Sequence, residues 1–105
     1  MITALVQFKL PAPVTLDQAQ AIFSDAAPKF CDLPGLIRKY FLLSEDGETA
    51  GGVYLWKSRE DANRFYTSGF RQRIVEQYGS EEPSITYFGS PVVVDNLTGE
   101  TITTG

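Results

Sequence analysis

Tyr54 and Trp56 stand two residues apart in the run Gly51-Gly-Val-Tyr-Leu-Trp-Lys57, which reads as a β-strand, so their rings share one face. Arg38 and Tyr40 stand two apart in the neighbouring run, Leu36 to Ser44, and share a face of that strand. With the hairpin turn centred on Glu45 to Glu48, the two pairs are expected to lie roughly opposite one another, and a one-residue slip would separate them. Tyr87 on the last strand, with Phe65, Tyr66 and Phe70 on a helix, is expected to close the wall. Such a set makes an apolar cleft with a few polar tips, the usual build of a small-molecule pocket. Its chemistry would be recognition of an aromatic ligand, with Arg38 or a tyrosine hydroxyl holding a phenolate or carboxylate. The plainer alternative makes the rings core and pairs Arg38 with a Glu or Asp across a dimer. Lys39 and Arg59 are expected in solvent. Asn63, one turn after Arg59, could hydrogen-bond a ligand. Gly51-Gly52 suits a bulge or a close backbone approach and, lacking the rest of the motif, is not a phosphate loop.

What the chain lacks narrows the chemistry further. It has no histidine, which removes the commonest general base, metal ligand and haem ligand. Its one cysteine, Cys31, allows neither an intrachain disulfide nor a thiolate zinc site. Beside Phe30 in an apolar helical pattern, Cys31 is expected to be an inert buried thiol. No metal site is expected, and any reaction falls to Tyr, Asp, Glu, Lys, the substrate itself or a bound cofactor. The net charge is −4 and the five arginines are scattered among acids, which argues against nucleic acid, because phosphate binding needs a basic stripe. No apolar run is long enough to cross a membrane and the N-terminus does not read as a signal peptide, so a cytoplasmic protein is expected.

The 105 residues, 43% of them hydrophobic, suit one domain. Ile2 to Leu10 alternates as a half-buried strand, ended by Pro11 and Pro13. Thr15 opens a helix, with Gln18 as capping-box partner. Leu16, Ala19, Phe23, Ala26 or Ala27, and Phe30 fall on its inner face. Pro28 is expected to break the helix near Ala27 by clashing with the Ser24 carbonyl. Two strands follow, Leu36 to Ser44 and Gly51 to Lys57, around a turn in which Gly47 tolerates positive φ. Ser58 caps a second helix that presents Ala62, Phe65 and Tyr66 inward. Thr67-Ser68-Gly69 interrupts it, Phe70, Ile74 and Tyr78 resume the face, and Gly79 ends it. Ile85 to Asp95 is the last strand; Pro91 within it implies an edge, a bulge or a move from one sheet to another.

The order β-α-β-β-α-β predicts an antiparallel sheet of four strands with both helices on one face. Residues 1–95 form this domain, and the polar tail 96–105 is expected to fray or to pair with a partner subunit. The uncovered sheet face carries apolar residues, so a homodimer with two sheets packed face to face is expected.

The runs Pro34-Gly-Leu-Ile-Arg-Lys-Tyr-Phe41, Gly51 to Ala62 and Tyr87-Phe-Gly-Ser-Pro-Val-Val-Val-Asp-Asn96 resemble the YdhR-like monooxygenase family over nearly the whole chain. That family lies beside the antibiotic-biosynthesis monooxygenases in the dimeric α+β barrel superfamily. The resemblance implies an α+β, ferredoxin-like fold paired into a dimeric barrel, and cofactor-independent oxygenation of aromatic compounds. It also implies an Asn, a Trp and a Tyr in the pocket of quinone-forming relatives. Trp56 can take the Trp position. The Asn position falls near Gly52, which has no side chain, and no Tyr matches after Trp56. Fold alone does not decide function.

Two readings follow. One is a dimeric oxygenase with no tightly bound cofactor, acting on a small electron-rich aromatic such as a quinol or naphthol; its base is unassigned, since a tyrosine would need its pKa lowered by a neighbouring cation and the substrate could equally ionise by itself. The other is a non-catalytic dimeric binding module for a hydrophobic metabolite. An isomerase or decarboxylase of a lactone-like substrate is a third option.

Overall fold

The architecture follows from a few local decisions along the chain. In a computed structural model describing residues 1–103, β1 spans Ile2–Lys9 and stops before Pro11. Thr15 caps α1 (Leu16–Ala26) through the expected box: its hydroxyl accepts from the Gln18 amide at 3.1 Å, and Gln18 Oε1 accepts from the Thr15 amide at 2.8 Å. Pro28 then ends the α-helix, and Ala27–Phe30 continues as a 3-10 turn. Cys31 falls outside that turn in extended backbone, so it is exposed; the expectation of a buried thiol is corrected.

Strands β2 (Leu36–Leu43) and β3 (Thr49–Trp56) form the hairpin. Its turn is held by Asp46, whose Oδ1 accepts from the Ser44 hydroxyl at 2.7 Å and the Glu48 amide at 3.0 Å. Gly47 sits at φ +74°, a conformation that side chains strain. Ser58 caps α2 (Arg59–Phe65), Thr67 caps α3 (Ser68–Tyr78), and Gly79 closes α3 at φ +64°. The interruption expected at Thr67-Ser68-Gly69 is therefore a true break with a new cap.

β1 pairs with β3 and with β4 (Ser84–Gly89), giving an antiparallel sheet ordered β2-β3-β1-β4. This is the ferredoxin-like topology. Ala4, Val6 and Phe8 on β1, Ala50, Tyr54 and Trp56 on β3, and Ala62 and Phe70 from the helices form the buried core. The helix α1 rests on Ala19 and Ala26, while Leu16, expected to face inward, is 73% exposed. Small contact residues leave room beneath this helix.

Pro91 divides the last strand. Beyond it β5 (Val92–Asp95) leaves the main sheet and pairs with β6 (Glu100–Thr103) in a separate hairpin. Residues 100–103 thus pair within their own chain rather than fraying; Thr104 and Gly105, also in the expected tail, lie outside the described residues. The face of the sheet away from the helices carries Leu5, Leu42, Val53 and Leu55, with Tyr40 and Phe88 each 53% exposed.

Candidate functional site

Six of the eight residues expected to line a pocket come together on the helix side of the sheet. The Tyr54 and Trp56 rings lie parallel with centroids 6.0 Å apart. Phe65 and Tyr66 pack on the indole at 5.5 and 5.7 Å. Phe70 and Tyr87 extend the cluster from Tyr66 at 5.1 and 6.0 Å. The Trp56 indole is fully buried, and its Nε1–H donates to the Tyr66 hydroxyl at 3.1 Å. This much of the set is core, packed ring on ring. A cavity of ≈ 240 Å³ reaches the indole from the side of Leu33, Pro34 and Phe65.

Tyr54 and Tyr66 are shifted away from the role of base. Burial raises the Tyr54 phenol above the usual tyrosine range. It raises Tyr66 as well, only partly offset by the hydrogen bond from Trp56. A phenol able to accept a proton near neutral pH would need the opposite shift, so the expectation of a tyrosine base finds no support in this cluster.

Arg38 and Tyr40 lie elsewhere, and pairing register is the reason. Leu43 pairs with Ala50, Phe41 with Gly52 and Lys39 with Tyr54, so odd residues of β2 share the helix face with even residues of β3. Arg38 and Tyr40 pair with Leu55 and Val53 on the opposite face. The guanidinium of Arg38 donates to Asp95 at 3.0 Å and reaches the Tyr40 hydroxyl at 3.5 Å. It thereby ties the β5–β6 hairpin to β2. The Asp95 carboxyl is held below its usual range by this guanidinium and by the Leu97 and Thr98 amides. Arg38 therefore binds an acid of its own chain, and its expected place opposite Trp56 is corrected.

The cation on the helix face is Lys39. Its Nζ sits 3.3 Å from the Phe30 ring centre, 3.8 Å from Phe41 and 4.5 Å from Tyr54. Among the described residues it makes no ion pair and no hydrogen bond. Burial first, and repulsion from Lys29 second, push its pKa down to about 7. The expectation of a solvated Lys39 is thus overturned by strand parity. Gly52 helps make the space: a Cβ there would meet Lys39 Cε and Tyr54 Cε1 at 3.1 Å each. The position where the resemblance places an asparagine is filled by the lysine arriving from the next strand. The signal was present in the sequence as a lysine paired in parity with Tyr54, but the hairpin register had to be known to use it.

Lys39 also borders an open cavity of ≈ 440 Å³, with Phe30, Leu36 and Phe41 as apolar wall and Cys31, Asp32 and Arg38 also in its lining. A larger one, ≈ 640 Å³, lies on the other side of α1 against Phe23, Leu43, Ala50 and Tyr78, without a charged residue in its lining. Arg59 is exposed as expected, but its guanidinium stacks 3.5 Å over the Tyr87 ring and donates to Asn63 Oδ1. Asn63, considered as a ligand contact, is engaged by that bond. Among the described residues no cluster of His, Cys, Asp and Glu could hold a metal ion. No helix is long and apolar enough to cross a membrane.

A ferredoxin-like sheet with its helices on one face and an aromatic interior defines a small α+β protein. The chain belongs to the family described as "Putative mono-oxygenase ydhR", which matches residues 4–98. No curated protein gives a significant match. Solved structures share the fold. One is SnoaB, a cofactor-independent oxygenase from Streptomyces nogalater, at 16% identity and TM-score 0.60, covering 85% of this chain and 91% of that one. Another is a monooxygenase, ActVA-Orf6 of Streptomyces coelicolor, in complex with nanaomycin D, at 16% identity and TM-score 0.61, covering 85% and 86%. A third is described as a putative antibiotic biosynthesis monooxygenase from Deinococcus radiodurans, at 10% identity and TM-score 0.64, covering 90% and 97%.

Proposed function

We propose that the protein is a cofactor-independent monooxygenase of small electron-rich aromatic compounds of the quinol or naphthol type. The observation that carries this reading is the ≈ 440 Å³ cleft walled by Phe30 and Phe41, with Lys39 the cation beside its rings. Phe30 and Phe41 meet edge to face with centroids 5.7 Å apart, so an aromatic ring would lie against them from the cleft rather than between them. The reaction needs no external reductant: a naphthol and dioxygen give a quinone and water, one oxygen atom entering the ring and the other leaving as water. Ionisation of the substrate hydroxyl supplies the electron-rich anion, and the cleft orients it beside Lys39. Support comes from the family and from the descriptions of SnoaB as a cofactor-independent oxygenase and of ActVA-Orf6 as a monooxygenase in complex with nanaomycin D.

The working unit in this reading is a cytoplasmic homodimer. Its contact is the sheet face with Leu5, Leu42, Val53, Leu55, Tyr40 and Phe88, whose apolar surface the chain itself leaves uncovered. The test is oxygen uptake with a panel of dihydroxynaphthalenes and quinols, together with product mass. Uptake above the spontaneous rate, with one oxygen atom gained, is the expected result. Binding seen as Trp56 quenching with no uptake on any member would instead favour the non-catalytic binding dimer, a reading favoured by the packing of Trp56, whose N–H is already taken by Tyr66.

A further inference from the structure

We propose that Lys39 is the proton acceptor and anion partner of this cleft, taking the hydroxyl proton of an acidic phenol or quinol and holding the phenolate that results. The substrate class rests on the oxygenase reading; the anion-binding site does not.

Three features of the geometry lead there. The first is confinement: the Lys39 stem crosses the space that a side chain at Gly52 would fill, and its Nζ lies against three ring faces. The second is the missing counter-ion. A half-buried ammonium is normally matched with a carboxylate, because a lone buried charge is costly. Among the described residues no charged group around it is joined to it in an ion pair. Lys29 on the 3-10 turn repels it. Arg38 also lines the cleft but is bound to Asp95. Asp32 lines the same cavity but makes no ion pair with it. From β3 it is faced by Tyr54, a phenol that burial keeps protonated. Asp61 on α2 pairs with Arg64. The third is access: the residue borders the ≈ 440 Å³ cleft, so an incoming ligand can supply the anion that the chain withholds.

The chemistry balances. The neutral amine accepts the proton of an aromatic O–H, giving ammonium and phenolate; no other bond changes. The two charges then attract beside the faces of Phe30 and Phe41. The phenolate, not the phenol, is the species that donates an electron to dioxygen. Aromatic walls and an ammonium together select a flat ring bearing a hydroxyl that ionises near neutral pH. A pKa lowered to about 7 by burial fits that role, because a base works best near the operating pH.

The probe is para-nitrophenol, whose anion is yellow. With the full chain at a pH where the free probe is mostly neutral, wild type is expected to raise the anion fraction of bound probe several-fold. Lys39→Met keeps the stem and removes the base, so it is expected to bind the neutral form without the colour. Independently, the Lys39 Cε resonance in 13C-lysine-labelled wild type is expected to titrate near 7. Binding of only the neutral probe by wild type, no binding at all, or a Lys39 resonance titrating with ordinary lysines would each overturn the assignment. Oxygen uptake is measured in parallel. If wild type turns over a quinol, Lys39→Met should lose about a hundredfold in kcat/KM, and a loss below about tenfold refutes the role as base. Anion capture with no turnover on any quinol leaves Lys39 as proposed and removes only the oxygenase reading.

Discussion

The burial of Lys39 sets the sign of the protein's pH–stability curve. Its pKa falls from 10.5 to about 7 on folding. Below 7 the lysine is charged in both states, and the folded state bears the full desolvation cost. Between 7 and 10.5 the unfolded chain holds more protons than the folded one, so stability rises with pH. At about 1.4 kcal/mol per tenfold change, that fall corresponds to about 5 kcal/mol. The faces of Phe30, Phe41 and Tyr54 favour the charged form and return about 1–2 kcal/mol. Residual solvent contact screens the charge further, leaving a swing of about 2–4 kcal/mol. Above pH 10 the sign reverses, because Tyr54, Tyr66 and Tyr78 have raised pKa values and ionise first in the unfolded chain. The assay is urea denaturation from pH 6 to pH 10, with wild type beside Lys39→Met. Wild type should gain stability toward pH 9–10, where the unfolded lysine still holds its proton. The variant should be nearly flat and, at pH 6, more stable by about 2–4 kcal/mol. The chain has no histidine to blur this window. A flat wild-type curve, or a variant less stable than wild type at pH 6, would show that Lys39 is solvated and refute the reasoning.

Other outcomes follow from the same contacts. Tyr66→Phe leaves the buried Trp56 N–H without its acceptor and should cost about 1–3 kcal/mol in chemical denaturation; a neutral result would mean that water reaches the indole. Gly51→Ala drives a Cβ into the Val6 carbonyl across the β1–β3 ladder and should destabilise by about 3 kcal/mol or more, or prevent folding. Arg38→Ala should speed amide exchange across residues 92–103, since it releases Asp95 and the hairpin; unaltered exchange there would show that this ion pair does not fasten the hairpin. Phe88→Glu places a charge on the bare sheet face and should shift sedimentation from dimer to monomer. Wild type sedimenting as a monomer at micromolar concentration would remove the dimer from the proposal.

Much of this architecture could be read locally. The capping box at Thr15, the helix stop at Pro28, the new cap at Thr67 and the strand break at Pro91 each depend on a few neighbouring residues and backbone sterics. The clustering of Tyr54, Trp56, Phe65, Tyr66, Phe70 and Tyr87 was legible too, because alternation within β3 and the apolar face of the helices point the same way. Cys31 and Leu16 were not, since both sit where a regular helix pattern meets an end, and one residue's displacement exposes them.

The partner of the aromatic cluster was decided across the hairpin. From its sequence, β2 is a strand offering two alternating faces: Arg38 with Tyr40, or Lys39 with Phe41. Only the pairing of Leu43 with Ala50, carried in register through Phe41 with Gly52 to Lys39 with Tyr54, selects which face meets the helices. Alternation is a property of one pleated strand, whereas register belongs to two strands and a turn, and a one-residue change inverts every side chain. The sequence therefore determined that a cation and rings would stand on adjacent strands. Tertiary pairing decided that the cation enclosed by rings is Lys39, and that Arg38 is left to fasten the C-terminal hairpin.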